Sequence, residues 1–300
     1  MVLPGNISLC EVGPRDGFQY ETKPIPTDLK VQFIEALIEA GLSRLQVASF
    51  VHPERVPQMA DAEAVVTRLG SRDGVALAGL ALNMKGVERA VSAGLHHVDL
   101  SIATHDAHSL DNANMTVDEA VREAERMTKT ALDAGVRVQI GLQTVFGYRR
   151  PGDTPLTNIL SLCELFVAWG AHEISLGDTT GLANPILIQQ VTGAVQETVP
   201  NVPLVLHLHD TRGLGLANVL AAMEVGICRF DASFGGLGGC PFIRGASGNV
   251  STEDLAYLAE SVGVETGVQR EAVVACTLKM ERFLERRLPS KLARIAELAG

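Results

Sequence analysis

Cysteine pairs, long apolar runs, aromatics and excess basic charge are all scarce in this 300-residue chain. Its five cysteines, at 10, 163, 228, 240 and 276, are odd in number and never spaced C-x-x-C. That argues against a disulfide framework or a zinc ribbon and fits a reduced cytoplasm. No apolar run approaches about 18 residues, so no membrane association is expected. The opening MVLPGNISLCEVGPRDG has no basic stretch followed by an apolar one, so no secretory signal is expected. Lys and Arg total 25 against 35 Asp and Glu, a formal net charge of −10. Nucleic acid is therefore not the expected partner. An anionic small substrate stays open, because it feels local rather than net charge. Aromatics make up 4% and hydrophobic residues 46%, so the core must be large and aliphatic.

What is present is an alternation. Strand-like runs occur at 7–12, 44–50, 75–81, 97–103, 136–145, 172–177, 203–209 and 229–234. Between them lie helical patterns such as TDLKVQFIEALIEAG, several ending in a glycine that marks a helix stop (41, 94, 135, 170, 226). Thr116 with Glu119 and Ser251 with Asp254 have capping-box spacing. Eight such units predict a (β/α)8 TIM barrel, formed by residues 1–262, with a short C-terminal helical extension at 263–300 packed on it. No G-x-G-x-x-G follows the first strand, which removes the main support for a dinucleotide-binding fold.

In such a barrel, chemistry sits at the carboxyl ends of the strands. Strand 1 runs into Arg15 and Asp16, strand 2 carries Gln46 and Ser49, and strand 6 runs into Asp178 and Thr179. Strand 7 ends in HLH, placing His207 and His209 on one face, and Cys240 and Asn249 follow strand 8. Asp16, His207, His209 and Asn249 would form a mixed N/O set suited to a divalent ion such as Mg2+ or Mn2+. Plainer alternatives stay open: histidines bonded to carbonyls, a turn aspartate in RDG, and Asn249 as a helix cap.

Five stretches, EVGPRDGFQ, ASFVHPERVPQMAD, EISLGDTTG, HLHDTRG and GGLGGCPFIRGASGNVSTEDL, together resemble the 3-hydroxy-3-methylglutaryl-CoA lyase family of barrel metallolyases. The resemblance spans residues 7 to about 260. It implies an acyl-CoA substrate, a divalent metal held by Asp16, His207, His209 and Asn249, and cleavage to acetyl-CoA and a keto acid, acetoacetate. Arg15, Asp16, His207 and Cys240 would be catalytic, with the Arg15 guanidinium on the thioester oxygen and the Cys240 thiol as an acid on a glycine-rich loop. Arg15, Gln46, Ser49, Asp178 and Thr179 would make up the substrate-binding set. The resemblance also implies a cytoplasmic homodimer or higher homo-oligomer with a role in leucine degradation.

The sequence departs from the family pattern at three places. Gln46 stands where the family has a catalytic Glu, FGYRRPG replaces FGCP, and Thr22 stands where a Lys is expected, leaving Lys23 beside it. With Gln46 the site is expected to lack one negative charge, loosening the metal and altering the preferred acyl group. Arg149 and Arg150 could meet CoA phosphates or simply line a solvated loop. Alternative activities are the same cleavage on citramalyl-CoA or a longer 3-hydroxyglutaryl-CoA, a condensing synthase, or a thioester-binding barrel without turnover.

Overall fold

The computed structural model describes residues 2–239 and 248–299. Eight strands are found there: β1 Ser8–Glu11, β2 Arg44–Ser49, β3 Ala76–Ala81, β4 His97–Ala103, β5 Arg137–Gln143, β6 Glu173–Gly177, β7 Leu204–His207 and β8 Arg229–Ala232. They form a closed barrel in chain order, every neighbour parallel, with Ser8 to Glu11 of β1 paired to Arg229 to Ala232 of β8. This is the TIM barrel that the alternation predicts. The helices are α1 Thr27–Glu39, α2 Ala62–Leu69, α3 Met84–Ser92, α4 Asp106–Ala113, α5 Val117–Asp133 and α6 Leu156–Ala168. They continue with α7 Pro185–Thr198, α8 Gly215–Glu224, α9 Thr252–Ser261, α10 Arg270–Leu284 and α11 Lys291–Ala299. Among the described residues, no helix is long and apolar enough to cross a membrane.

The expected boundaries shift where local geometry overrides the apolar pattern. Strand 5 stops at Gln143 because Thr144 takes φ 57°, a left-handed conformation that cannot continue a strand. Strand 7 stops at His207, and His209 instead forms an isolated antiparallel bridge with Asn249. GPRDG, into which strand 1 runs out, is a π-helical turn in which the amides of Asp16 and Gly17 both reach back to the Val12 carbonyl. Such turns recur at functional sites. All five predicted helix-stop glycines have φ between 75° and 95°. Thr116 and Glu119 form the full capping box, and the Ser251 side chain accepts from the Asp254 amide.

The core is aliphatic, with one aromatic cluster that matters for the site. Phe18, just after the π-turn, and Phe33 of α1 both pack on Phe234, just beyond β8, with centroids 6.0 and 5.6 Å from it. The extension is anchored at both ends: the Gln269 amide donates to the Ala40 carbonyl, and Asp254 of α9 accepts from the first amides of α11.

Where β1 meets β8, Glu11 is fully buried and accepts from the amides of Gly13 and Phe234 and from the Thr252 hydroxyl. It thereby joins the π-turn, the loop after β8 and α9. Glu11→Gln can keep this network by turning its amide nitrogen to Thr252. Glu11→Ala strands three buried donors and should cost about 3 kcal/mol or more, at about 1–3 kcal/mol each. Burial, only partly offset by these donors, pushes the Glu11 carboxyl from 4.5 up to about 8. The proton then favours the folded state, so this contribution is complete below the ordinary carboxyl range and lost as pH rises toward about 8. Urea unfolding from about pH 5 to about pH 9 should show the parent losing ground to Glu11→Gln over that span. Parallel curves would mean that Glu11 folds ionised.

Candidate active site

The carboxyl rim of the barrel opens into a cavity of about 410 Å³. Asp16, His207 and His209 line it, and one potential ligand atom from each lies within 4.8 Å of the others. The two imidazoles sit 5.2 Å apart between centroids, one from the end of β7 and one from the bridge beyond it. That bridge brings in Asn249, whose Nδ2 donates to Asp16 Oδ2 (2.7 Å) and to the Leu237 carbonyl (3.0 Å). Asn249 thus offers its nitrogen to Asp16, and as a ligand it would have to present its oxygen instead.

The donor chemistry fits a divalent ion. Among the described residues His209 Nδ1 is buried without a hydrogen-bond partner, a cost of about 1–3 kcal/mol that coordination or a substrate group removes. Burial, reinforced by His207, lowers the His209 pKa to about 3, which keeps the ring neutral as a ligand must be. Burial alone would raise the Asp16 carboxyl, but the charges of Arg15 and His207 and the Asn249 hydrogen bond hold it below its usual range. His207 is shifted the other way: burial disfavours its charge, yet the Asp231 hydrogen bond and the Asp231 and Asp16 charges raise its pKa. Its Nδ1 lies 3.1 Å from Asp231 Oδ2, which fixes the ring and leaves Nε2 for another partner.

Beside this cluster runs a second polar chain. Arg15 Nη1 donates to Asp16 Oδ1 (2.6 Å), and Arg15 Nε and Nη2 both donate to Gln46 Oε1, the former at 2.8 Å. Gln46 Nε2 in turn donates to Asp99 Oδ2 at 2.6 Å. Directly behind the neutral Gln46, a carboxyl is therefore supplied by β4.

The remaining candidates divide. Ser49 lines the cavity and its buried Oγ lacks a partner among the described residues. Thr179 also lines it, while its Oγ1 accepts from the Thr144 amide and steadies the kink after β5. Asp178 does not line the cavity; its Oδ1 accepts from the Ala183 amide, shaping the loop into α7. Cys240 lies outside the described residues. Arg149 and Arg150 sit on a loop that Asp153 ties through three backbone amides, and neither lines the cavity. Lys23 is turned to the C-terminal extension, donating to the Phe283 carbonyl and Glu285.

Sequence reasoning missed Asp231, Asp99 and Glu11. Each is a lone acid inside a short apolar strand, in RFDASF, HVDLSIA and ISLCEV. An acid in a strand buried on both sides must find partners, and that was the available signal.

A closed barrel whose rim joins an Asp/His/His cluster to a buried arginine defines a barrel enzyme with a candidate metal centre. The chain belongs to the HMGL-like family, whose model matches residues 6–277. It is 36% identical over 291 residues to the hydroxymethylglutaryl-CoA lyase of Bacillus subtilis (strain 168), covering 97% of both chains. It is likewise 36% identical to the mitochondrial hydroxymethylglutaryl-CoA lyase of Homo sapiens, covering 97% of this chain and 90% of that one. The crystal structure of hydroxymethylglutaryl-CoA lyase from Pseudomonas aeruginosa superposes with a TM-score of 0.96 at 36% identity, covering 100% of both chains. An HMG-CoA lyase from Acinetobacter baumannii in complex with coenzyme A and 3-methylmalate gives 0.92 at 37%, covering 98% of this chain and 96% of that one.

If Asp231 orients His207 as a ligand, Asp231→Asn should weaken Mn2+ binding by about 10–100-fold with little change in the unfolding midpoint. Isothermal titration would measure it. An unchanged Kd would mean that the His207–Asp231 pair has no part in holding an ion.

Proposed function

We propose that this protein is a divalent-metal-dependent carbon–carbon lyase that cleaves 3-hydroxy-3-methylglutaryl-CoA to acetyl-CoA and acetoacetate. The supporting observation is the meeting of the Asp16/His207/His209 cluster and Arg15 in one cavity. It occurs in a chain 36% identical, along almost its whole length, to enzymes of that name. Asp16, His207, His209 and Asn249 would hold the ion, Mg2+ or Mn2+. When bound, the ion supplies Lewis acidity to the substrate's hydroxyl and carboxylate oxygens.

In the reaction the C3 hydroxyl loses its proton and becomes a ketone, the C2–C3 bond breaks, and its electron pair passes to C2 as an acetyl-CoA enolate. Protonation at C2 then completes acetyl-CoA. Arg15 stabilises the thioester oxygen as negative charge develops there. Ser49 and Gln46 contact the acyl group, with Thr179 and Asp178 shaping the rim around it. Cys240 acts as the acid that helps protonate the carbanion at C2. We take residues 1–262 as the catalytic barrel and 263–300 as its extension. We also infer a homo-oligomer, a dimer or larger, acting in leucine degradation, and a cytoplasmic location in keeping with the cysteine usage.

A second reading keeps the reaction and changes the acyl chain to citramalyl-CoA or a longer 3-substituted hydroxyglutaryl-CoA. Ser101 and Gln143 favour it, since they line the cavity with polar groups able to bind an added hydroxyl or carboxylate. A panel of 3-hydroxyacyl-CoA thioesters with Mg2+ or Mn2+, scored for acetyl-CoA and pyruvate, decides. Turnover of the methylglutaryl thioester at tens per second, a rate typical of evolved enzymes, would remove the second reading. No acetyl-CoA from any thioester would remove both.

Cys240→Ala should lower kcat by about 10²–10⁴-fold if the thiol transfers a proton. Substrate should also protect Cys240 from alkylation. A kcat within about threefold of the parent would take Cys240 out of the reaction.

A further inference from the structure

The reacting groups described above leave one cavity-lining carboxyl unexplained. Of the described carboxyls that line the cavity, Asp16 is a candidate ligand and Asp231 is bonded to His207. Asp99 is neither. It is 5% exposed, projects from the middle of β4, and among the described residues its one side-chain hydrogen bond is the 2.6 Å contact from Gln46 Nε2.

That contact has a directional consequence. A primary amide has one accepting end and one donating end, and the two occupy nearly the same volume. Gln46 can accept two N–H groups from Arg15 only while its nitrogen end points elsewhere. Were the amide inverted, its NH2 would face the guanidinium, donor against donor, and Arg15 would lose two bonds. An acceptor at Asp99 forbids the inversion. We propose that Asp99 is a positioning residue for the reaction: by fixing the amide of Gln46 in one orientation, it aims the Arg15 guanidinium at the developing enolate oxygen. The proposal rests on the function proposed above and adds to it a residue outside the predicted site.

The orientation carries a pH dependence. Asp99 accepts best when ionised; once protonated, one of its oxygens becomes a donor and its hold on Gln46 weakens. The charged and titratable groups that face it are Arg44 from β2, Asp231 from β8, Arg15 from the π-turn, Glu173 from β6 and Cys10 from β1, with His97 two residues away on β4. The flanking positions on β3 and β5, Leu80 and Gln139, carry no charge. Burial dominates this balance and pushes the Asp99 carboxyl up to about 7, with Arg44 opposing and Asp231 adding to the rise. The orienting bond is therefore strongest above neutrality and fades as pH falls below it.

Steady-state kinetics at saturating Mg2+ test this with two variants. Asp99→Leu removes the acceptor and should lower kcat by about 10²-fold, the cost of misplacing a catalytic group, while KM changes little. Asp99→Asn still offers an oxygen to Gln46 Nε2 and should recover most of that loss, but without the parent's acid limb in kcat. A Leu variant as fast as the parent would overturn the proposal. So would an Asn variant as slow as Leu, or one that keeps the acid limb. NMR of 13C,15N-labelled protein gives a readout independent of turnover. Burial pushes Asp178 up to about 7 as well, so of the aspartate carboxyls titrating near neutrality one, and not Asp178, should be absent in Asp99→Asn, and the Gln46 side-chain amide should shift over the same range in the parent alone. If the parent cleaves no thioester but these signals appear, the functional reading fails and the pairing stands. A Gln46 amide indifferent to both pH and the Asn substitution would overturn the pairing itself.

Discussion

The pairing of β1 with β8 is the constraint on which the rest of the site depends. Asn249 and Asp16 are 233 positions apart in sequence and share a 2.7 Å hydrogen bond because the barrel closes at that seam. The seam is fixed from within by Glu11, whose carboxyl collects donors from the π-turn, the loop after β8 and α9. On its outer side Phe18, Phe33 and Phe234 pack edge-to-face and stacked. A carboxyl buried at this cost is worth keeping only if three backbone segments must meet in one place. The segments are those that carry Arg15, Asp16 and Asn249.

Below the rim the barrel interior is polar, where many barrels are filled with branched aliphatics. Arg44 reaches Gln139 and Glu173, and Arg229 also pairs with Glu173, so the first residues of β2, β6 and β8 form a charged layer at the amino-terminal end. Asp99 and Asp231 face the same interior, bonded to Gln46 and His207, and all four line the cavity at the rim. Charge therefore extends along the barrel axis. Glu173 is met by arginines on β2 and β8, Asp99 by Gln46 on β2 and Asp231 by His207 on the adjacent β7, which is how a chain of net charge −10 buries acids beneath its active site.

Much of this was legible in sequence. Eight apolar runs alternating with glycine-terminated helical patterns specify the barrel, because parallel strands buried on both faces read as continuous apolar segments. The position of reactive residues after strands 1, 7 and 8 follows from the same topology. The bridge between His209 and Asn249 was not legible, since it pairs the end of a strand-like run with a segment around Asn249 that neither alternates nor forms a run. The π-turn was hidden for a similar reason: GPRDG is also good turn sequence, and only the surrounding packing selects the wider helix. Gln46 shows the limit most clearly. Read alone, it is a neutral residue where an acid is expected. In space it is half of an amide–carboxyl pair whose other half lies on β4, 53 positions away. Pairs of that kind are invisible until strand register is known.

A metal centre at the carboxyl rim is the central claim, and anomalous diffraction from crystals grown with Mn2+ tests it most directly. A single strong peak at the manganese edge is expected within about 2.0–2.6 Å of Asp16, His207 and His209, as oxygen and nitrogen ligation of a divalent ion requires. A peak elsewhere with that rim empty, or no peak at saturating Mn2+, would contradict it.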